Sequence, residues 1–184
     1  MMEDLAMHIL EILMNSIGAK AGRILLKIRE SVKDNIIEIT VTDNGSGMSE
    51  EMVKTVADPF TTTRKTRKIG MGVAFMKGLT EQCGGTFGIT SRPGEGTEVK
   101  ASIVRDHIDA PPTGDLGQMM MYAIQADETI DFEMIYETDS DQFVFKSSEI
   151  REMLEGVSLL EPEILLWIIE YINEGIMRAK EGMR

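Results

Sequence analysis

Asp43-Asn44-Gly45-Ser46-Gly47-Met48 follows directly on an alternating apolar run, and Gly70-Met71-Gly72 precedes a helical pattern. A carboxylate at a strand end with two glycines after it marks a sharp turn where a ligand can approach backbone closely. Glycines before a helix leave its first amides open to an anion, and phosphate suits them well. Between the pairs runs Asp58-Pro59-Phe60-Thr61-Thr62-Thr63-Arg64-Lys65-Thr66-Arg67-Lys68. Its hydroxyls and four basic residues could close over phosphates, or form a solvated loop. Upstream, Glu11 and Asn15 stand four apart, so one helical turn brings a carboxylate and an amide oxygen to one side. Neither glycine pair is a Walker loop, and Glu50 and Phe75 stand where a dinucleotide fingerprint needs its third glycine. Each piece alone is a weak signal.

The elements that must position these residues alternate between helix and strand. Glu3–Lys20 has helical periodicity, with Leu5, Ile9, Leu10, Ile12, Leu13 and Ile17 on one face and His8, Glu11 and Asn15 opposite. Arg23–Arg29 and Asn35–Thr42 read as an antiparallel pair about the turn Lys33-Asp34-Asn35. Ser49 caps a short helix with Glu50 and Glu51 at its positive end. Met71–Cys83 reads as a helix stopped by Gly84-Gly85, and the strands Thr86–Ser91 and Thr97–Val104 follow. Beyond Ala110-Pro111-Pro112-Thr113-Gly114, a linker by composition, come a helix Asp115–Ala126, a hairpin from Ile130 to Phe145, and a short helix Ser148–Glu155. Pro162 then opens a long helix to Lys180 whose apolar arc is broad enough for core packing or for a partner surface.

With 42% hydrophobic and 27% charged residues the chain is folded, not a disordered tract, and its 184 residues make one ordinary domain or one domain with a small appendage. No apolar run approaches the ~20 residues a membrane span needs, and the acidic start is unlike a secretory signal. The single cysteine, Cys83, excludes an internal disulfide or a cysteine zinc cluster, and a cytoplasmic location is the expectation. The net charge of −12 is uneven. Residues 1–105 carry 14 Lys and Arg against 13 Asp and Glu, whereas residues 106–184 carry 5 against 18. The acidic half argues against nucleic acid, which needs clustered positive charge.

In order, the pieces are Glu-x-x-x-Asn on a helix, Asp-x-Gly-x-Gly after a strand, Pro-Phe-Thr-Thr, Gly-x-Gly before a helix, and Gly-Thr before a last strand. This series over residues 3–105 resembles the ATP-binding domain shared by gyrase, heat-shock chaperone ATPases, bacterial histidine kinases and mismatch-repair ATPases, the GHKL superfamily. The resemblance implies a Bergerat-type two-layer α/β (α+β) sandwich, with residues 1–108 as the ATP-binding domain, 109–114 as linker and 115–184 as an acidic accessory region.

The resemblance also assigns roles. Asn15 holds Mg²⁺ on the phosphates, and Asp43 accepts from the adenine amino group. Gly45 and Gly47 let base and sugar lie against backbone. Gly70 and Gly72 meet the phosphates beneath a lid, Phe60–Ile69, that includes Thr62 and Lys68. Thr97 helps to hold adenine. Glu11 takes the place of the general base of the hydrolysing branches and of anti-sigma serine kinases. His8, inside the ATPase helix, reads as a packed or solvent-facing histidine and not as a phosphoacceptor. The implied ligands are ATP and Mg²⁺. The implied activity is a stand-alone regulatory ATPase or nucleotide switch, with a serine or histidine kinase acting in trans, or a non-catalytic ATP-binding module, as alternatives. A protein partner or a homodimer contact is expected through the C-terminal region.

Overall fold

Strict alternation of apolar and polar residues builds the centre of the molecule. In β1 (Arg23–Ser31) and β2 (Ile36–Asp43), Ile24, Leu26, Ile28, Ile37, Ile39 and Val41 are buried, and their neighbours face outward. The two strands pair antiparallel, Ile28 opposite Ile39, about a turn in which Asn35 takes a left-handed φ of 54°. The computed structural model describes residues 4–56 and 72–183. Expectations placed on Phe60, Thr62, Lys68 and Gly70 lie outside the described residues.

Around this pair the sheet has six strands. β3 (Phe87–Arg92) and β4 (Gly96–Val104) add antiparallel on the β2 side, and β5 (Asp131–Glu137) and β6 (Gln142–Lys146) add on the β1 side. The order is β3-β4-β2-β1-β5-β6, with β5 parallel to β1 and every other pairing antiparallel. β4 and β5 therefore run the same way, so their connection must cross the sheet. Helix α4 (Leu116–Ala126) makes that crossing.

The helices α1 (Leu5–Gly18), α3 (Gly72–Gln82), α4 and α6 (Pro162–Lys180) form the second layer. α1 packs between α3 and α4, and α4 packs on α6. Two short helices, α2 (Glu50–Val56) and α5 (Ser147–Met153), sit against β3 and β5. A mixed sheet backed by one helical layer is the α+β sandwich that the resemblance implied.

The C-terminal strands extend the same sheet, and Met119, Ile124, Phe132, Met134 and Ile168 belong to one core with Leu5, Ile9, Ile24 and Leu26. The composition boundary is thus not a boundary of the sheet. Its Pro-rich stretch is docked: Leu5 and Ala6 donate their amides to the carbonyls of Pro112 and Thr113, both at 3.0 Å. These are first-turn amides of α1 that no helical carbonyl can satisfy. Asp4 takes a third, from Met7, at 2.9 Å.

A buried charge cluster also spans the boundary. Glu30 of β1 is 6% exposed and accepts from Arg105 Nε at 2.8 Å, from the Tyr136 hydroxyl of β5, and from Lys180 Nζ of α6 at 3.1 Å. Burial pushes the Glu30 carboxyl up, but the hydrogen bonds from Tyr136 and Arg105 and the charge of Lys180 outweigh it and hold the group below its ordinary value. Burial and the neighbouring carboxylate push the Tyr136 phenol up.

His8 is the packed histidine of the two readings: it is buried, 9% exposed, and lines a cavity with Phe75 and Leu79 of α3 and with Pro111 and Pro112. Cys83 is fully buried and packs as a small core residue.

Candidate functional site

A cavity of about 220 Å³ opens between α1, α2 and the β2–β4 end of the sheet. Ile12, Met48, Met52, Val73, Ile89 and Val99 form apolar walls. Asn15, Ser16, Asp43 and Thr97 supply the polar groups. Apolar walls with a few placed polar groups are the usual make-up of a small-molecule site.

Asp43, the last residue of β2, is only 8% exposed. Strand alternation sends its side chain to the same face as Ile37, Ile39 and Val41, so the carboxylate enters under the helical layer. A carboxylate there must be hydrogen-bonded. Ser16 Oγ of α1 donates to Oδ2 at 2.6 Å, and the Gly45 amide donates to Oδ1 at 2.8 Å. Two oxygens offer about four acceptor sites. Acceptor capacity is therefore left for a donor arriving in the cavity.

The loop after Asp43 is held on three sides. Ser46 donates to the Ala19 carbonyl at 2.9 Å, Gly94 donates to the Ser46 carbonyl at 2.7 Å, and the Met48 amide donates to Ser91 Oγ at 2.8 Å. Both motif glycines have a requirement of their own in this loop. A Cβ on Gly45 would lie 2.8 Å from the Ala19 carbonyl oxygen, and one on Gly47, at φ +64°, would lie 1.9 Å from the Arg92 carbonyl oxygen. Asn44 anchors the other side by accepting the Gly22 and Arg23 amides, each at 2.8 Å.

Thr97 sits opposite Asp43 in the β2–β4 register and lines the same cavity. Its Oγ1 lies 2.9 Å from Ser91 Oγ, so one hydroxyl pair ties β3, β4 and the Met48 amide together. Asn15 lines the cavity from α1. Glu11, one turn earlier, is exposed. It stands against the first residue of α3: a Cβ on Gly72 would lie 2.9 Å from Glu11 Oε2. Glu11, Asn15, Asp43, Gly47, Gly72 and Thr97 are therefore gathered at one end of the sheet, with Gly45 behind Asp43.

Ser16 and Ser91 are site residues that motif spacing missed. Ser16 had a signal: it lies one turn after Ile12, a polar residue beside the apolar arc. Ser91 had none, because nothing in a strand sequence tells which hydroxyl will meet a loop from another part of the chain.

Residues 3–107 match the family model described as histidine kinase-, DNA gyrase B-, and HSP90-like ATPase. Among similar proteins, sensor histidine kinase ZraS of Salmonella typhi is 34% identical over 96 residues, covering 51% of this chain and 20% of the relative. A putative sensor histidine kinase NtrY-like of Rickettsia conorii is 34% identical over 92 residues, covering 50% of this chain and 15% of the relative. An uncharacterized sensor-like histidine kinase of Rhizobium meliloti is 31% identical over 87 residues, covering 45% and 17%. The chain spans a fifth or less of the length of these relatives. The matched segment contains every element that lines the cavity, and the chain belongs to the histidine kinase-, gyrase B- and HSP90-like ATPase family, the GHKL superfamily.

Proposed function

We propose that this protein is a Mg²⁺-dependent ATP-binding regulatory ATPase or nucleotide switch, acting in the cytoplasm. One observation carries the reading: a buried carboxylate, Asp43, with acceptor capacity left, at the polar end of an otherwise apolar cavity. Adenine suits such a site, since it is a flat apolar ring whose exocyclic amine donates. Thr97 supports the base from β4, and Gly45 and Gly47 bring backbone close to base and sugar. Gly72, together with Gly70, would give the phosphates the amides at the start of α3. Phe60, Thr62 and Lys68 are proposed to contact the nucleotide from the lid side.

Among the described residues no group of three or more His, Cys, Asp or Glu could hold a metal ion. That suits Mg²⁺, which keeps several waters and takes the rest of its shell from phosphate. Asn15 would add one amide oxygen, and the ion when bound neutralises charge on the phosphates. Glu11, exposed beside the start of α3, would orient an attacking water or hydroxyl and accept its proton. The exposure of Glu11 and the sensor histidine kinase relatives favour a second reading, phosphoryl transfer to a serine or histidine of a partner protein.

Nucleotide preference tests the reading. Guanine presents a carbonyl where adenine presents an amine, so GTP would set acceptor against the Asp43 carboxylate. Calorimetry should give ATP binding at least ~10-fold tighter than GTP, the scale of one charge-assisted hydrogen bond. Equal affinities, or none for either, would overturn the assignment of the cavity.

A further inference from the structure

The sheet ends at β6, and among the described residues no strand pairs with its outer edge. In an edge strand, alternate residues aim their N–H and C=O groups outward and offer a template to another chain. The opposite edge, β3, has α2 packed against it. Beside β6, by contrast, a groove of about 260 Å³ runs along α6. Phe143 of β6 and Tyr171 and Gly175 of α6 make its apolar part. The Phe143 ring lies on the helix backbone, since a Cβ on Gly175 would fall 2.2 Å from it. It meets Tyr171 edge-on at 5.5 Å, and Tyr171 stacks on Trp167 at 4.9 Å. Trp167 and Tyr171 are nevertheless 45% and 40% exposed, so this aromatic row is unfinished on its outer side.

Charge selects the occupant. At three- and four-residue spacing, Glu163, Glu170 and Glu174 share the exposed strip of α6 with Trp167 and Tyr171, and Asp141 stands at the start of β6. The cation on this strip, Arg178, is engaged with Glu174 at 3.3 Å. A second copy pairing edge to edge would bring two such acidic rims together. We propose that β6 and the adjoining strip of α6 form a docking groove for an extended segment of a partner protein with alternating basic and apolar residues, which adds as a further strand. Main-chain hydrogen bonds to β6 give it affinity, its apolar side chains complete the aromatic row, and its cations face Asp141, Glu170 and Glu174. The groove lies at the far edge of the sheet from the ATP cavity, and this inference does not depend on nucleotide binding.

The chain's single tryptophan, Trp167, is the reporter. Full-length protein without nucleotide is titrated with a capped hexapeptide of alternating lysine and valine. Trp167 emission should change saturably, with amide NMR shifts concentrated in 142–146 and 167–178. A glutamate–valine hexapeptide, and a lysine–valine hexapeptide N-methylated at alternate amides, should each bind at least 10-fold more weakly. The surface double variant Asp141→Lys, Glu174→Lys should lose at least 10-fold for the lysine peptide while keeping the parent's ATP affinity. Equal binding of acidic and basic peptides overturns the proposal, as does indifference to N-methylation. So does absence of saturation up to about 1 mM. A dimer in sedimentation that pairs through β6 overturns it in favour of a second copy. None of these outcomes bears on ATP binding, which is measured separately.

Discussion

Ser16 Oγ lies 2.6 Å from Asp43 Oδ2, across 27 residues of sequence, and joins α1 to the end of β2. That bond fixes the carboxylate and also sets the helix carrying Glu11 and Asn15 relative to it. Ser16→Ala should leave one carboxylate oxygen short of a partner and free Asp43 to rotate. The expected loss in ATP affinity is about 10-fold, from a hydrogen bond to a charged group worth ~1.5–3 kcal/mol in part. Titration calorimetry on the folded variant checks it, and unchanged affinity would show that Ser16 only fills space.

Glu11 and Asn15 share a helix yet should fail differently. Asn15→Ala should remove the Mg²⁺ dependence of ATP binding. Glu11→Gln should keep ATP bound while phosphate release or phosphoryl transfer falls by roughly 10²–10⁴-fold, the usual scale for a general base. Parallel binding and turnover assays separate the two. Parent-like turnover in Glu11→Gln would reduce Glu11 to a surface residue.

Much of this arrangement was legible in the sequence. Alternation over Asn35–Thr42 put Asp43 at a strand end, and Pro162 marked the first residue of α6. Pairings between distant segments were not legible. Nothing in Ile130–Tyr136 says that it will lie parallel to Arg23–Arg29, because strand partners are chosen by the whole core and not by local pattern. The shift in charge after Arg105 suggested two separate units, yet charge reports on surface residues while the core runs beneath. For the same reason nothing in the sequence singles out Glu30, on which Tyr136, Arg105 and Lys180 converge.

That cluster predicts a pH signature. Because the folded Glu30 carboxyl is held below its ordinary value of 4.5, its contribution is complete above that pH and is lost as pH falls through the folded value. Tyr136→Phe removes one donor from a buried charge and should destabilise the protein by about 1–3 kcal/mol at neutral pH. In urea melts, the gap between parent and variant should narrow below about pH 4.5. A gap independent of pH would mean that the hydroxyl acts by packing alone.

A chain ending at Ile108 should not fold as a stable unit. It would strip α4 from α1 and β5 from β1, and lose Met119, Met120, Ile124, Phe132 and Met134 from the shared core. Each fully buried side chain of this kind contributes about 1.5–3 kcal/mol, against a typical net stability of ~5–15 kcal/mol. Circular dichroism and sedimentation should show unfolded or aggregated material. A monomeric, cooperative melt near the parent's would establish residues 1–108 as self-sufficient.

The central claim is that Asp43 receives the adenine amine. The most direct measurement is calorimetric titration of Asp43→Asn with Mg²⁺ and ATP, after circular dichroism has shown it folded. Asparagine keeps the size of aspartate but loses its charge and turns one acceptor into a donor. The predicted result is a fall in ATP affinity of at least ~10-fold, the equivalent of ~1.5–3 kcal/mol. ATP binding with the parent's affinity would contradict the account and place the nucleotide elsewhere.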